Sequence, residues 1–397
     1  MPEHGKAAAM TSVLPRLLRP DERSPSDLGD GDLLYATTTY ALRGVGVRKR
    51  ILVPQEMLRT GGFGARDIFE DEDVDAAFAF VSLPFRRDEP AEIIIPEVMT
   101  RLESAAPAPE RPAARSADAD PRQRHGSVLR IRADSTPDAW CRRVERLVER
   151  LRSTELEKAV LARRITVTAD EPFSKSRFLR ALATSFRAGV VFAFGGYLGV
   201  SPELLVRRNG RIVSSRPLAG TLPRGQNEAE DEAAIAALLN SPRFLHEHGI
   251  VVEHIVGMLK PILSELVLGA QPAVLTLPTV HHLATSIDGC CDADTDVLRL
   301  AAELHPTPAV CGSPTSQAYA AIEELEGWRR GLYAGAVGWV DRVGDGEFSV
   351  AIRCAEITGN KADVFIGNGI VEGSSPAEEL VETRAKISRI LAALVEP

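Results

Sequence analysis

"GLYAGAVGWVDRVGDGEFSVAIRCAEITGNKADVFIGNGI", residues 331–370, is the stretch whose reading decides the fold. Apolar, strand-like runs follow one another here, and the Gly-Asp-Gly turn at 344–346 joins the first two. Strands joined by short turns pair antiparallel, because a parallel pair needs a crossover of about a dozen residues or more. The same pattern occurs earlier, as "VVFAFGG" (190–196), "ELLVRR" (203–208) and "RIVSSR" (211–216), with Asn209-Gly210 a strong two-residue turn signal. Helices are expected between the two sets, near 227–240 and 247–267. Strands in hairpins with helices grouped apart predict an α+β fold built on antiparallel sheets. The two halves look loosely alike, but no fixed short repeat is visible.

Working outward, "DLLYATTTYALRGVG", "AAFAFVSLPF" and "AEIIIPEV" read as strands in the first hundred residues. "DAWCRRVERLVERLRST" has helical periodicity, with Trp140, Val144, Leu147, Val148 and Leu151 on one side, and "KAVLARRITVT" reads as the strand after it. Residues 105–126 are rich in Ala, Pro, Arg and Asp, cannot bury an apolar face, and are expected to form a mobile loop. Residues 1–28 read as a ragged tail without the apolar core or cleavage site of a signal peptide. One domain over 29–397 remains, with its catalytic core over 137–397.

The chain has 397 residues, 44% hydrophobic and 26% charged, which suits a globular protein with a large core. A net charge of -8 argues against a general binder of nucleic acid or membrane surfaces. No run of eighteen apolar residues is present, so no membrane-spanning helix is expected. The five cysteines (Cys141, Cys290, Cys291, Cys311 and Cys354) include no CxxC pair, as expected of reduced thiols in a cytoplasmic protein.

Near the C-terminus, "PAEELVETRAKISRIL" (376–391) reads as an amphipathic helix with Glu379, Glu382 and Lys386 on one face. Like charges at this spacing cost a helix roughly 0.2–0.5 kcal/mol. They form either a solvated face or a cation site. In "SPRFLHEHGIVVEHIV" the HExxH spacing of a catalytic zinc helix is missing, but Glu247 could complete an oxygen-rich site with Glu379 and Glu382. Magnesium suits such carboxylates, often together with an anionic substrate. "GNGIVEG" (367–373) has the spacing GxGxxxG and too little chain after it for a dinucleotide-binding unit, so it reads as a tight turn. The backbone at Gly367 and Gly369 could nevertheless approach an anionic ligand closely. Lys158 opens a strand as a solvated residue or a base with its pKa lowered by burial. Glu203 among apolar residues could be held protonated and act as an acid. Arg353, alone in a largely apolar strand, calls for either a structural ion pair or a substrate carboxylate.

Ordered blocks from about residue 137 onward resemble the chorismate-utilising enzymes. They include "LEKAVLARR", "GVSPELLVRR", "RPLAGTLPRG", "HEHGIVVE", "HHLAT", "HPTPAVCGSP", "RGLYAGAVGW", "VAIRCAEI" and "FIGNGIVEGSSPAEELVET". The resemblance implies one large α+β domain with two packed, mainly antiparallel sheets and helices outside. It implies Mg2+ held by Glu247 and Glu382, with Glu379 as the adjacent supporting carboxylate. Arg353 and Tyr333 match groups that hold the enolpyruvyl carboxylate of chorismate. Gly220, Thr221, Gly367, Gly369 and Lys386 match pocket positions, and His282 and Ala309 match positions lining the ring site. Lys158 matches the base that activates water for attack at C2, and Glu203 the acid that protonates the departing C4 hydroxyl.

Within the family, Lys158 and "PLAGT" favour water over ammonia as nucleophile. The resemblance therefore implies an isochorismate synthase without a glutaminase partner, expected as a monomer. Its product feeds catecholate siderophores, salicylate or menaquinone. A salicylate synthase, which goes on to eliminate pyruvate, is the nearest rival, though such enzymes tend to carry a hydroxyl residue at the position of Ala309. An aminating synthase and a non-catalytic chorismate-binding protein are the others. Three departures stand out: Phe244 in place of an acidic residue, Asn368 in place of alanine beside the pocket glycines, and Leu222 in place of arginine. Phe244 is expected to remove a charge near the metal, and Asn368 to put a larger polar group beside the pocket.

Overall fold

Two large antiparallel sheets face each other across an apolar core. The structure, a computed structural model, describes residues 28–29, 31–70, 77–103, 129–186, 189–277 and 280–395. The expected tail lies outside the described residues except for Leu28, which is buried and donates its backbone N–H to Ser176 Oγ at 3.0 Å. The expected loop at 105–126 also lies outside them.

The first sheet runs in the order Gly312–Ser313, Lys158–Thr168, Lys361–Ile370, Cys354–Thr358, Tyr197–Ser201, Val190–Phe194, Leu33–Ala36, Tyr40–Val45, Val98–Glu103, with Arg130–Ala133 paired to the far end of Lys158–Thr168. The second runs Leu263–Leu268, Ile287–Cys291, Ile212–Arg216, Leu204–Asn209, Gly346–Val350, Ala336–Asp341, Phe78–Leu83, Ala91–Ile95, Lys49–Val53. A small third sheet, Leu218–Pro223, Val280–Ala284, Ala273–Thr276, adds to the two expected.

Side-chain alternation along a strand divides the first sheet between two cores. Leu33, Tyr35 and Phe192 join Phe80, Val337 and Phe348 of the second sheet in the core between the sheets. Leu34, Ala36 and Val191 point the other way, toward Phe178, Leu179 and Leu182 of the helix Lys175–Phe186 and Ile387 and Ile390 of the helix Pro376–Val395. The central strands of this sheet are buried on both faces and carry near-continuous apolar runs, as in Leu33–Ala36 and Val190–Phe194. The Tyr35 hydroxyl crosses between the sheets, donating to Glu347 Oε1 at 2.9 Å.

The helices begin where capping residues stand. Thr136 accepts from Ala139 N, Asn227 from Glu230 N and Asp296 from Arg299 N, each satisfying a backbone donor that the first helical turn leaves free. One expected helix is corrected. The stretch read as 247–267 is a helix over Pro242–Leu259 followed by a strand over Leu263–Leu268. Pro261 has no N–H to continue the helical hydrogen-bond ladder beyond Lys260, and the apolar run beyond it serves equally well as an edge strand. Among the described residues no helix is long and apolar enough to cross a membrane.

Leu182 is fully buried in the core under the helices. Leu182→Ala is expected to cost about 2–5 kcal/mol. Urea unfolding should show a lower midpoint with an unchanged slope.

Candidate active site

One cavity is lined by all fourteen residues singled out from the sequence: Lys158, Glu203, Gly220, Thr221, Glu247, His282, Ala309, Tyr333, Arg353, Gly367, Gly369, Glu379, Glu382 and Lys386. Its floor is the pairing of Lys158–Thr168 with Lys361–Ile370, which sets Gly369 opposite Val160 and Gly367 opposite Ala162. The third sheet brings Gly220, Thr221 and His282. The helices Pro242–Leu259 and Pro376–Val395 supply the carboxylates.

The glycines are a spatial requirement. A Cβ on Gly369 would stand 2.5 Å from Glu247 Oε1 and 2.9 Å from Lys158 Cε, and one on Gly367 would stand 2.8 Å from the Tyr333 hydroxyl. Any side chain at either position would displace functional groups. Gly220 has φ +71°, where side-chain-bearing residues are strained.

Lys158 is 1% exposed, and its Nζ lies 3.1 Å from Glu247 Oε1. Glu203 is also buried, and desolvation pushes its carboxyl up to about 7 against a backbone hydrogen bond from Leu218 and the charges of Lys158 and Arg353. It therefore holds its proton near neutrality. Arg353 is 7% exposed and, among the described residues, has no acidic side chain within ion-pair distance. Of the two readings of Arg353, the structural ion pair is absent among the described residues, and the side chain lines the cavity. Burial lowers its pKa, while Tyr333, Glu382 and Glu203 oppose that shift. Arg353 and Ala334 have φ of +53° and +62° and are the two non-glycine residues in this region of backbone space among those described. Both line the cavity, where strain of this kind concentrates.

His282 is neutral: burial, then the charges of Arg353 and Lys386, hold its imidazole well below its usual range. Its Nδ1 is 2.9 Å from Thr221 Oγ1. The Tyr333 ring stacks on Phe365 with centroids 5.1 Å apart.

The helix 376–395 buries Glu379, Thr383 and Lys386 at its start and Ile387, Ile390 and Ala393 beyond them on one stripe. The two glutamates that would repel each other each have a cation: Glu382 pairs with Lys386, and Glu379 Oε1 accepts from Arg243 Nη2 at 3.2 Å. Burial and then the Glu382 charge still push the Glu379 carboxyl up to about 7. Four carboxylates (Glu203, Glu247, Glu379, Glu382) and four cationic side chains (Lys158, Arg243, Arg353, Lys386) share the cavity, so its formal charge is zero with all of them ionised.

As the side chains stand, no three acidic, histidine or cysteine groups among the described residues are gathered closely enough to hold a metal. The chemistry of Glu247, Glu379 and Glu382 nonetheless fits magnesium. All three line the cavity and offer carboxylate oxygens, the donor type that magnesium takes.

Arg243 was not among the expected residues. It sits four residues before Glu247 and one before Phe244, so all three share a helix face, and that spacing was the available signal. Phe244 lines the cavity. The expectation for Asn368 is corrected. Strand alternation turns its side chain away from the face bearing Gly367 and Gly369. It is 1% exposed and does not line the cavity. Its Nδ2 donates to Glu379 Oε2 at 2.9 Å and to Glu379 O at 3.0 Å, and its Oδ1 accepts from Lys386 Nζ at 3.0 Å. The side chain ties Glu379 and Lys386 together from behind.

Comparisons with known proteins agree on one family. The model described as "Chorismate binding enzyme" matches residues 79–395. The vibriobactin-specific isochorismate synthase of Vibrio cholerae is 37% identical over 328 residues, covering 81% of this chain and 80% of that protein. Isochorismate synthase DhbC of Bacillus subtilis is 39% identical over 284 residues, covering 68% and 71%. The crystal structure of DhbC from Bacillus anthracis superposes with a TM-score of 0.82 at 31% identity, over 93% of this chain and 97% of that one.

Asn368→Ala removes three buried hydrogen bonds and is expected to cost about 1–3 kcal/mol. Its urea midpoint should fall while the circular dichroism spectrum of the folded protein is kept.

Proposed function

The chain belongs to the chorismate-binding enzyme family, and from that premise we propose that it is a magnesium-dependent isochorismate synthase. The observation that carries the reading is the presence of a buried amine and a buried carboxylic acid in one cavity. Lys158 is a buried amine, and Glu203 is a carboxylic acid that keeps its proton near neutrality. Relatives named isochorismate synthase support the same assignment.

In this reading Lys158 takes a proton from water as the water oxygen bonds to C2 of chorismate. The ring double bonds shift, the C4–oxygen bond breaks, and Glu203 gives its proton to the departing hydroxyl. One water enters and one leaves, so the reaction is an isomerisation with no redox change. The proton passes back from Lys158 to Glu203 before the next turnover. Arg353 and Tyr333 hold the enolpyruvyl carboxylate. Gly220, Thr221, Gly367, Gly369 and Lys386 shape the rest of the pocket, and His282 and Ala309 bound the ring.

Magnesium bound by Glu247 and Glu382, with Glu379 supporting, would supply positive charge against the ring carboxylate. The charge of the cavity supports this: with Glu203 protonated and the other seven groups ionised it carries +1, so a dianionic substrate leaves an excess of negative charge that a bound cation offsets. Water as the nucleophile means that no glutaminase subunit is required. Ala309 leaves no hydroxyl at the ring wall, which favours isochorismate over salicylate as the product.

Purified protein given chorismate and magnesium should make isochorismate at a rate independent of ammonium, as read by chromatography with mass detection. Salicylate with pyruvate, formed faster than isochorismate decays unaided, would place the chain in the salicylate branch. Lys158→Ala should abolish turnover with the fold intact.

The raised Glu203 carboxyl sets a pH dependence. Between its ordinary value of 4.5 and about 7 the folded state holds a proton that the unfolded state has lost. Stability from this group is therefore full below about 4.5 and is lost as pH rises through about 7. The acid it supplies is lost over the same upper limb, so kcat/KM should fall above about pH 7. Glu203→Gln should be inactive, yet more stable than the parent at pH 8 and no more stable at pH 4, measured by urea unfolding.

A further inference from the structure

One buried ion pair, away from the cavity, joins several of its walls. Glu326 ends the helix Thr315–Glu326, and Arg330 begins the turn that leads to Tyr333. They are 4% and 2% exposed, and neither lines the cavity. Arg330 Nε donates to Glu326 Oε2 at 3.0 Å, and Nη2 bonds Glu326 Oε1.

The pair's other bonds go to backbone. Arg330 Nη2 donates to Val160 O at 2.6 Å and Nη1 to Val310 O at 2.9 Å, while Ala162 N donates to Glu326 Oε1 at 2.7 Å. These are groups that a neighbouring strand would satisfy. On one side Lys158–Thr168 is paired along ten residues with Lys361–Ile370. On the other, Gly312–Ser313 covers Lys158 and Ala159, and Arg130–Ala133 covers Ile165–Thr168. The ion pair fills the gap between these two short strands. The guanidinium also stands 4.4 Å from the Phe85 ring centroid and 5.7 Å from that of Tyr333.

We propose that Glu326–Arg330 is a positioning pair for the reaction. It stands in for the missing strand and sets the backbone that carries Lys158 against the segment that carries Ala309 and the turn that carries Tyr333. A planar fork of donors can hold two carbonyls from separate segments along with a carboxylate, which a single ammonium cannot do. The role rests on the proposed function, since Lys158 is the group being aimed. Tyr333 and Ala309 also touch substrate in that reading, but Gly220, Thr221, Arg353 and Lys386 come from elements that the pair does not bond, so KM should move less than kcat.

The test is Arg330→Lys, which keeps the charge against Glu326 and loses the fork. Its kcat for isochorismate formation should fall about 10–100-fold, while KM for chorismate changes less than about threefold. Amide exchange read by mass spectrometry should quicken over residues 158–163 and stay unchanged over 204–216. Glu326→Gln keeps the acceptor for Ala162 N–H and should give a smaller loss of kcat of the same kind. It carries the test if the lysine variant does not fold. A folded Arg330→Lys with the parent's kcat, or one whose loss lies wholly in KM, would overturn the positioning role. A parent protein that makes no isochorismate would overturn the reading of function instead, and the aiming of Lys158 with it.

Discussion

The ten-residue pairing of Lys158–Thr168 with Lys361–Ile370 is the interaction on which the site depends. It joins a strand from the middle of the chain to one near its end, and its register decides what faces the cavity. Lys158 and Val160 meet the glycines of "GNG" on one face, while Asn368 and Leu161 turn to the other. A slip of one residue would exchange the faces, bury the glycines and bring Asn368 into the cavity. The helix that follows inherits this placement, so Glu379, Glu382 and Lys386 descend onto the same floor.

Gathering eight charged groups in one buried place is costly, because each ion loses its hydration. The protein offsets part of that cost by matching cation to anion: Lys158 with Glu247, Arg243 with Glu379, Lys386 with Glu382. Two groups are left out. Among the described residues Glu203 has no cation within ion-pair distance, and burial raises its carboxyl to about 7 despite the charges of Lys158 and Arg353; Arg353 has no acidic side chain within ion-pair distance. Lys158, matched to Glu247, and Glu203, without an ion-pair partner among the described residues, thus share one cavity in different electrostatic settings. Backbone strain lies in the same place. Arg353 itself occupies a left-handed conformation, held there by hydrogen bonds that include its carbonyl with Val200 N.

Much of this was legible in the chain alone. The hairpin series with Asn209-Gly210 and the turn at 344–346 determined antiparallel sheets, because short turns permit no other pairing. Capping residues and apolar periodicity located the helices, and Pro261, which lacks an N–H for the ladder, could have ended the second of them where it does end. The site residues were legible through their ordered resemblance to a family, since Lys158, Glu203, Glu247 and Glu382 lie far apart in sequence. Strand alternation, applied to Asn368, would have turned its side chain away from the pocket.

The tertiary structure decided the rest, for reasons that no local pattern contains. Whether Arg353 has an ionic partner depends on what every other element brings near it. That Glu203 keeps its proton follows from burial among strands and loops remote in sequence, and no count of neighbouring residues measures desolvation. The Glu326–Arg330 pair looks from sequence like an ordinary i,i+4 couple on a helix end. Only the folded chain shows that both side chains turn inward to bond Val160, Ala162 and Val310. Sequence determined which groups are available and how each segment alternates or turns; long-range packing decided which charges are matched and which groups are buried.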